Sequence, residues 1–157
     1  MSEPPRTALV IEDSVDAADV LRLYLHDFGF RTRHLVDPME LGRLRGSELS
    51  LVLLDLGLGR TDGIAVMRHQ RDLLAGVPIL VTSAHSTQAQ GAAVRIGRQL
   101  GLDVRGYVPK PFARTLFQSA VASAMAPVAR DPALPAPERP DLEALLAAPT
   151  LEIGYAP

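Results

Sequence analysis

Residues 51–63 have the sequence LVLLDLGLGRTDG, an apolar run that ends in a carboxylate and continues into a glycine-rich segment. A continuous apolar run of this length is typical of a strand buried on both faces, as in a parallel sheet covered by helices. Asp55 then lies at the carboxyl end of a central strand, where open α/β sheets bind their ligands. Burying an unpaired carboxylate is costly, so Asp55 is the first candidate functional residue. The simpler interpretation is that the Asp55 side chain only caps the turn or helix that follows.

The composition of the 157-residue chain indicates one globular domain with an appendage. Hydrophobic residues make up 47% of the sequence, the net charge is −2, and there is no cysteine. This charge argues against direct binding to nucleic acid or to an anionic membrane, and the lack of cysteine excludes disulfides and thiolate chemistry. There is no signal-peptide pattern and no apolar segment of the ~20 residues that span a bilayer, so we expect a cytoplasmic protein.

The rest of the chain up to residue 125 alternates apolar runs with amphipathic segments. Predicted strands are Thr7–Ile11, Phe30–Val36, Leu49–Asp55, Val77–Ala84 and Val104–Val108, and predicted helices are Ser14–Asp27, Asp37–Leu44, Gly63–Leu74, Thr87–Leu100 and Ala113–Met125. Five strands that alternate with five helices predict an α/β fold, a doubly wound five-stranded parallel sheet. The polar residues in the second strand indicate a position at the edge of this sheet.

The composition changes after residue 126. Residues 127–140 are rich in proline and alanine, which predicts a stiff, extended linker. The C-terminal segment, residues 141–157, has the pattern of a short helix followed by a strand. We therefore expect a domain over residues 5–126, a linker over residues 127–140, and a C-terminal segment that could be the start of a further domain.

Chemically distinctive residues lie at the carboxyl ends of four of the predicted strands: the pair Glu12-Asp13, then Asp55, Ser83 and Lys110. A doubly wound sheet brings these strand ends to one edge, so they should share a pocket. Clustered carboxylates repel one another without a cation, and oxygen ligands of this kind suit Mg²⁺. A hydroxyl and an ammonium are the groups that a transferred phosphoryl group needs around its oxygens. This chemistry makes Asp55 a nucleophile toward a phosphoryl donor.

The same residues resemble the receiver domain of two-component response regulators. The likeness covers roughly residues 5–126, and its motifs are specific in combination: residues 10–13, 53–63, 78–84 and 107–112. The resemblance implies a flavodoxin-like (βα)5 receiver fold. It also implies that Asp55 accepts a phosphoryl group from a sensor histidine kinase or a phosphotransfer protein. Asp13, Asp55 and the backbone carbonyl of Gly57 would bind Mg²⁺, and Glu12 would do so directly or through water.

The resemblance also assigns the groups that detect the phosphoryl group. Ser83 would hydrogen-bond the phosphoryl oxygens, Lys110 would pair with them, and Tyr107 would change rotamer as Ser83 moves. Ser83 is chosen over Thr82 because the family's hydroxyl directly precedes a small residue, here Ala84. The switch would control an output domain or a partner, and a homodimer is one partner that the resemblance allows.

Two features depart from the receiver pattern or extend it. Gly59 occupies a position where proline is common, and the interval from Ser83 to Lys110 is several residues longer than in a typical receiver. The sequence of residues 101–112 is similar to receivers fused to EAL domains, which are cyclic-di-GMP phosphodiesterases. The segment 141–157 weakly resembles the opening of an EAL domain, so we hypothesise that it is the truncated start of such a domain.

Two other functions compete with the phosphoacceptor hypothesis. An aspartate-nucleophile phosphatase of the haloacid-dehalogenase kind would need a second aspartate two residues after Asp55, where this chain has Gly57. A phosphorylation-independent interaction module on the same fold would not need Glu12, Asp13, Ser83 and Lys110, all of which are present. We therefore expect a signalling phosphoacceptor and not a turnover enzyme.

Overall fold

The computed structural model describes residues 5–45, 48–59, 61–84 and 86–127 of the chain. It contains one parallel five-stranded sheet in the order β2-β1-β3-β4-β5. The strands are β1 (Arg6–Ile11), β2 (Phe30–Leu35), β3 (Leu51–Asp55), β4 (Ile79–Ser83) and β5 (Val104–Pro109). This topology confirms the predicted doubly wound sheet, with β3 at its centre and β2 at an edge.

Helices cover both faces of the sheet: α1 (Val15–His26), α2 (Gly63–His69), α3 (Arg71–Leu74), α4 (Thr87–Gln99) and α5 (Arg114–Met125), with a 3-10 helix at Pro38–Arg43. The helices α1 and α5 pack on one face, and the 3-10 helix and α2 to α4 pack on the other. All five residues of β3 are buried, as the continuous apolar run predicts. Among the described residues, no helix has both the length and the apolar character needed to cross a membrane.

The predicted helix Asp37–Leu44 is wrong in type, because the segment forms a 3-10 helix. Asp37 caps it by accepting a hydrogen bond from the Met39 backbone N–H at 2.9 Å. The Leu44 N–H then donates to the Leu41 carbonyl, which is the i to i+3 spacing of a 3-10 helix. Gly42 lowers helix propensity in a segment that is already short, so a longer α-helix gains too little from propagation.

The predicted helix Gly63–Leu74 is also wrong, because it is divided into α2 and α3 at Gln70. Gln70 has φ −107° and ψ 23°, outside the helical region. The sequence gives no sign of this break, since Leu74 follows Met67 by seven residues and so keeps the same helical face. Both side chains are buried, and tertiary packing of the two pieces overrides the local helix preference.

The C-terminal predictions fall outside the described residues. The proline- and alanine-rich segment 127–140 is described only at residue 127, and the segment 141–157 is not described at all. The boundaries of the expected linker and of the C-terminal segment therefore stay predictions from sequence.

Candidate functional site

The acidic residues predicted from sequence meet at the carboxyl edge of the sheet. Glu12 and Asp13 follow β1, and Asp55 ends the neighbouring strand β3, whose register pairs Ile11 with Leu54. One carboxylate oxygen from each of the three residues lies within 4.8 Å of the others. Glu12 and Asp55 are buried, whereas Asp13 is exposed. The topology thus produces a pocket of three carboxylates that solvent reaches from the side of Asp13.

Asp55 is held in place by one neighbour on each carboxylate oxygen. Its side chain is 3% exposed. Oδ1 accepts a hydrogen bond from the Gly57 backbone N–H at 3.1 Å, and Oδ2 lies 3.1 Å from Lys110 Nζ. Gly63 starts α2 directly behind it, and a Cβ at Gly63 would lie 2.7 Å from the Asp55 backbone oxygen. The close approach of this helix start fixes the backbone that carries the carboxylate.

Lys110 bridges the two buried carboxylates. Its Nζ lies 2.8 Å from Glu12 Oε2 in addition to its contact with Asp55. Burial acts to lower the pKa of Lys110, but the hydrogen bonds that its ammonium donates to Glu12 and Asp55 outweigh burial and hold the pKa above its ordinary value of 10.5. The backbone of Lys110 is also fixed, because its N–H donates to the Ser83 carbonyl at 2.9 Å. The ammonium is therefore permanent and points into the acidic pocket.

Glu12 is the least solvated acid of the site. Burial is the main cause that raises its pKa from 4.5 to about 7, against the opposing hydrogen bonds from Lys110 and the Ser14 backbone. Oε1 accepts the Ser14 N–H at 3.1 Å. The Glu12 backbone carbonyl accepts a hydrogen bond from His34 Nε2 at 2.7 Å. The contact of His34 could not be predicted from sequence, because nothing local marks a histidine on β2 as a neighbour of the residue that follows β1.

Asp13 lies beside the glycine-rich loop that follows β3. A Cβ at Gly59 would be 3.4 Å from Asp13 Oδ2, and Gly59 has φ +72°, a conformation that proline cannot adopt. The loop is closed by a β-bridge between Gly57 and Asp62 and by a hydrogen bond from the Leu58 N–H to the Thr61 carbonyl. Gly59, at the position where proline is common in the family, therefore belongs to a hydrogen-bonded turn.

Ser83 and Tyr107 lie on the neighbouring strands β4 and β5. The register of the sheet pairs Asp55 with Thr82, and Val81 with Tyr107. Ser83 is 1% exposed, and Tyr107 is half-buried against the core under α2 to α4. The structure thus brings Ser83 and Lys110 together through their backbones, at the strand ends beside Asp55.

The donor groups of this pocket fit a magnesium ion. The clustered ligand atoms are carboxylate oxygens, which a hard cation prefers, and the cluster includes no sulfur or imidazole. Three carboxylates also carry more negative charge than the single ammonium of Lys110 can neutralise. Glu12, Asp13 and Asp55 are the cluster of potential metal ligands that the described residues contain.

Comparisons with known proteins identify relatives of the whole described domain. The sequence model of the response regulator receiver domain matches residues 8–122. The transcriptional regulatory protein GltR of Pseudomonas aeruginosa is 34% identical over 117 residues, which are 71% of this chain and 46% of that protein. The response regulator MprA of a Mycobacterium species is 32% identical over 110 residues, 69% of this chain and 46% of that protein. The chain spans about half the length of these relatives.

Solved structures support the fold. A CheY-like response regulator receiver domain protein from Methanospirillum hungatei has a TM-score of 0.65 at 15% identity, covering 78% of this chain and 94% of that one. A response regulator protein from Burkholderia pseudomallei, solved with a phosphorylated aspartic acid, a calcium ion and citrate, has a TM-score of 0.60 at 22% identity and covers 76% of this chain and 66% of that one. Since the family model matches well over half of the sequence, the chain belongs to the response regulator receiver domain family.

Proposed function

We propose that the protein is a phosphoacceptor that takes a phosphoryl group on Asp55 from a sensor histidine kinase or a phosphotransfer protein. The environment of the Asp55 carboxylate is the main support for this proposal. It is buried, and it is held by the Gly57 N–H on one oxygen and by Lys110 on the other, next to two further carboxylates. Such an arrangement orients a nucleophile and provides positive charge for its product.

In the proposed transfer, an Asp55 carboxylate oxygen forms a bond to phosphorus while the phosphorus–nitrogen bond of a phosphohistidine donor breaks. The leaving nitrogen keeps the electron pair and receives a proton from solvent. Lys110 is within 3.1 Å of the attacking carboxylate and can move its charge to the new phosphoryl oxygens. A bound Mg²⁺ would neutralise charge on the transferred phosphoryl group, and Asp13, Asp55 and the Gly57 carbonyl, with Glu12 directly or through water, are the groups that would hold it.

The product state would be detected by Ser83, Lys110 and Tyr107. Ser83 would hydrogen-bond the new phosphoryl oxygens, which adds a contact that the unphosphorylated protein lacks. Tyr107 is half-buried on the strand beside Ser83, so a shift of β4 changes the space available to its ring. The added charge would thereby select a second conformation that controls an output domain or a partner.

The phosphoryl mark would persist long enough to signal, because the site offers no second aspartate two residues after Asp55. Gly57 occupies that position and contributes its backbone N–H to Asp55 instead. This argues against a turnover phosphatase. A phosphorylation-independent interaction module would have no use for the lysine that bridges Glu12 and Asp55, so the geometry favours the phosphoacceptor.

We also propose, from the sequence, that this receiver is part of a larger cytoplasmic regulator. Residues 5–126 would be the receiver, residues 127–140 the linker, and residues 141–157 the start of an EAL-like domain that links the protein to cyclic-di-GMP signalling. A gene that continues past Pro157 into an unrelated output domain, or that ends there, would remove the EAL part of this proposal and leave the receiver part intact.

The phosphoacceptor proposal is tested with a small phosphoryl donor. The full chain is incubated with phosphoramidate and Mg²⁺, and the intact mass is measured. We expect one added phosphoryl group in the wild type, none with EDTA and none in Asp55→Asn. The matched control is Asp62→Asn, since Asp62 lies on the same loop and caps α2 through a bond that asparagine also makes. An undiminished adduct in Asp55→Asn, or no adduct in the wild type, would refute the proposal.

A further inference from the structure

Helix α4 carries a buried amide that the proposed function does not use. Gln90 is 1% exposed. Its Nε2 donates a hydrogen bond to the Ser83 backbone carbonyl at 3.3 Å. A buried amide is costly unless its polar atoms are hydrogen-bonded, so a glutamine at this position is not explained by packing alone.

The Ser83 carbonyl is a shared acceptor. It receives the Gln90 amide and also the Lys110 backbone N–H, at 2.9 Å. Ser83 and Lys110 are the two residues proposed to contact the phosphoryl oxygens. Gln90 therefore bonds to the single carbonyl through which the backbones of both residues are joined.

The remainder of the buried face of α4 is apolar and tightly packed. Among the buried residues of α4, a helix that the structure describes in full, Gln90 alone has a polar side chain. About two helical turns after Gln90, a Cβ at Gly97 would lie 2.5 Å from Val104 Cγ2, so the helix and β5 are in close contact there. A displacement of the Ser83 backbone would consequently reach α4 at Gln90, while the far end of the helix is held against the sheet.

We propose that Gln90 is a positioning residue that couples the Ser83 backbone to helix α4. The inference rests on the proposed function, because it assigns Gln90 the transmission of the change that phosphorylation of Asp55 produces. Coupling of this kind needs a continuous physical contact and an element that changes between two arrangements. The Gln90 amide is the contact, and the start of α4 is the element.

The test compares the full chain with Gln90→Met, which keeps the side-chain volume and removes the amide. The control is Val94→Ala, which removes buried volume from the same helix but leaves Gln90 in place. Each protein is treated with phosphoramidate and Mg²⁺, its phosphoryl content is measured, and backbone hydrogen exchange is followed over residues 87–99. We expect phosphorylation to change this exchange in the wild type and in Val94→Ala. In Gln90→Met the phosphoryl group should still be incorporated, but the change in exchange should be lost.

A retained change in phosphorylated Gln90→Met would overturn the inference, as would a phosphorylated wild type with unchanged exchange in α4. Either result would leave the phosphoacceptor function standing. No phosphoryl uptake by the wild type would instead refute the proposed function and the coupling together. If Gln90→Met does not fold, the wild type gives a second measurement, because the Gln90 side-chain amide resonance should shift on phosphorylation. An unshifted resonance would overturn the coupling.

Discussion

Because α4 packs closely against the sheet, we expect Gly97→Ala to lower the free energy of unfolding. The new Cβ would lie 2.5 Å from Val104 Cγ2 and 2.9 Å from Met67 Sδ, well inside the ~3.5–4.0 Å of a favourable carbon contact. Met67 is flexible, but Val104 is branched at Cβ and belongs to a strand, so it cannot turn away cheaply. Overpacking of this kind costs about 1–3 kcal/mol, and the better helix propensity of alanine returns up to about 1 kcal/mol.

The matched control is Gly91→Ala in the same helix. There the nearest atom to the new Cβ is Arg95 Nη1 at 3.8 Å, an ordinary contact. Only the propensity gain remains, so this variant should be more stable than the wild type by about 0.5–1 kcal/mol. The same substitution is thus predicted to have opposite signs at two positions six residues apart.

The assay is urea unfolding followed by far-UV circular dichroism, with the free energy of unfolding extrapolated to water. We expect Gly97→Ala to be less stable than Gly91→Ala by about 2 kcal/mol, because both variants gain the helix propensity of alanine but only Gly97→Ala has the cost of overpacking. If both variants gain stability equally, then α4 does not approach Val104 closely, and its C-terminal end is not held against β5.

The charges of the pocket give two further predictions. Lys110→Met should lower the free energy of unfolding at pH 8 in EDTA by about 2 kcal/mol, less than for a fully buried pair because Lys110 is 21% exposed. The same variant should bind Mg²⁺ more tightly by calorimetry, and weaker binding would contradict the proposed ligand set. For Glu12 the folded pKa of about 7 lies above the ordinary 4.5, so its ionisation removes stability as pH rises through that window. In EDTA, Glu12→Gln should therefore gain stability relative to the wild type between pH 4.5 and 7 by up to about 3 kcal/mol, and a constant difference across the window would refute the assignment.

The centre of the sheet and the acidic pocket were predictable because their signals are local. The run that ends at Asp55 is apolar at every position, which only a strand covered on both faces requires, and β3 is buried throughout. Because the strands of a doubly wound sheet are parallel, their carboxyl ends lie at one edge, which places Glu12, Asp13 and Lys110 at the same edge as Asp55. The structure brings all four side chains together.

The remaining features depend on contacts between distant segments. The break at Gln70 leaves the helical face unchanged, so periodicity cannot show it. His34 and Gln90 belong to no sequence motif. Each is notable only because it contacts a backbone carbonyl of a distant residue: His34 that of Glu12, and Gln90 that of Ser83. The 3-10 helix at Pro38–Arg43 was missed in type because Asp37-Pro38 is an equally good start for an α-helix.

The proposed function requires that Asp55 itself receives the phosphoryl group. It is tested most directly by treating the phosphorylated chain with borohydride, which reduces an acyl phosphate of aspartate to homoserine, and by sequencing the peptides with mass spectrometry. We expect homoserine at position 55, dependent on Mg²⁺ and on the phosphoryl donor. Homoserine at Asp13 or Asp62 instead, or at no position in a chain that has gained a phosphoryl group, would contradict it.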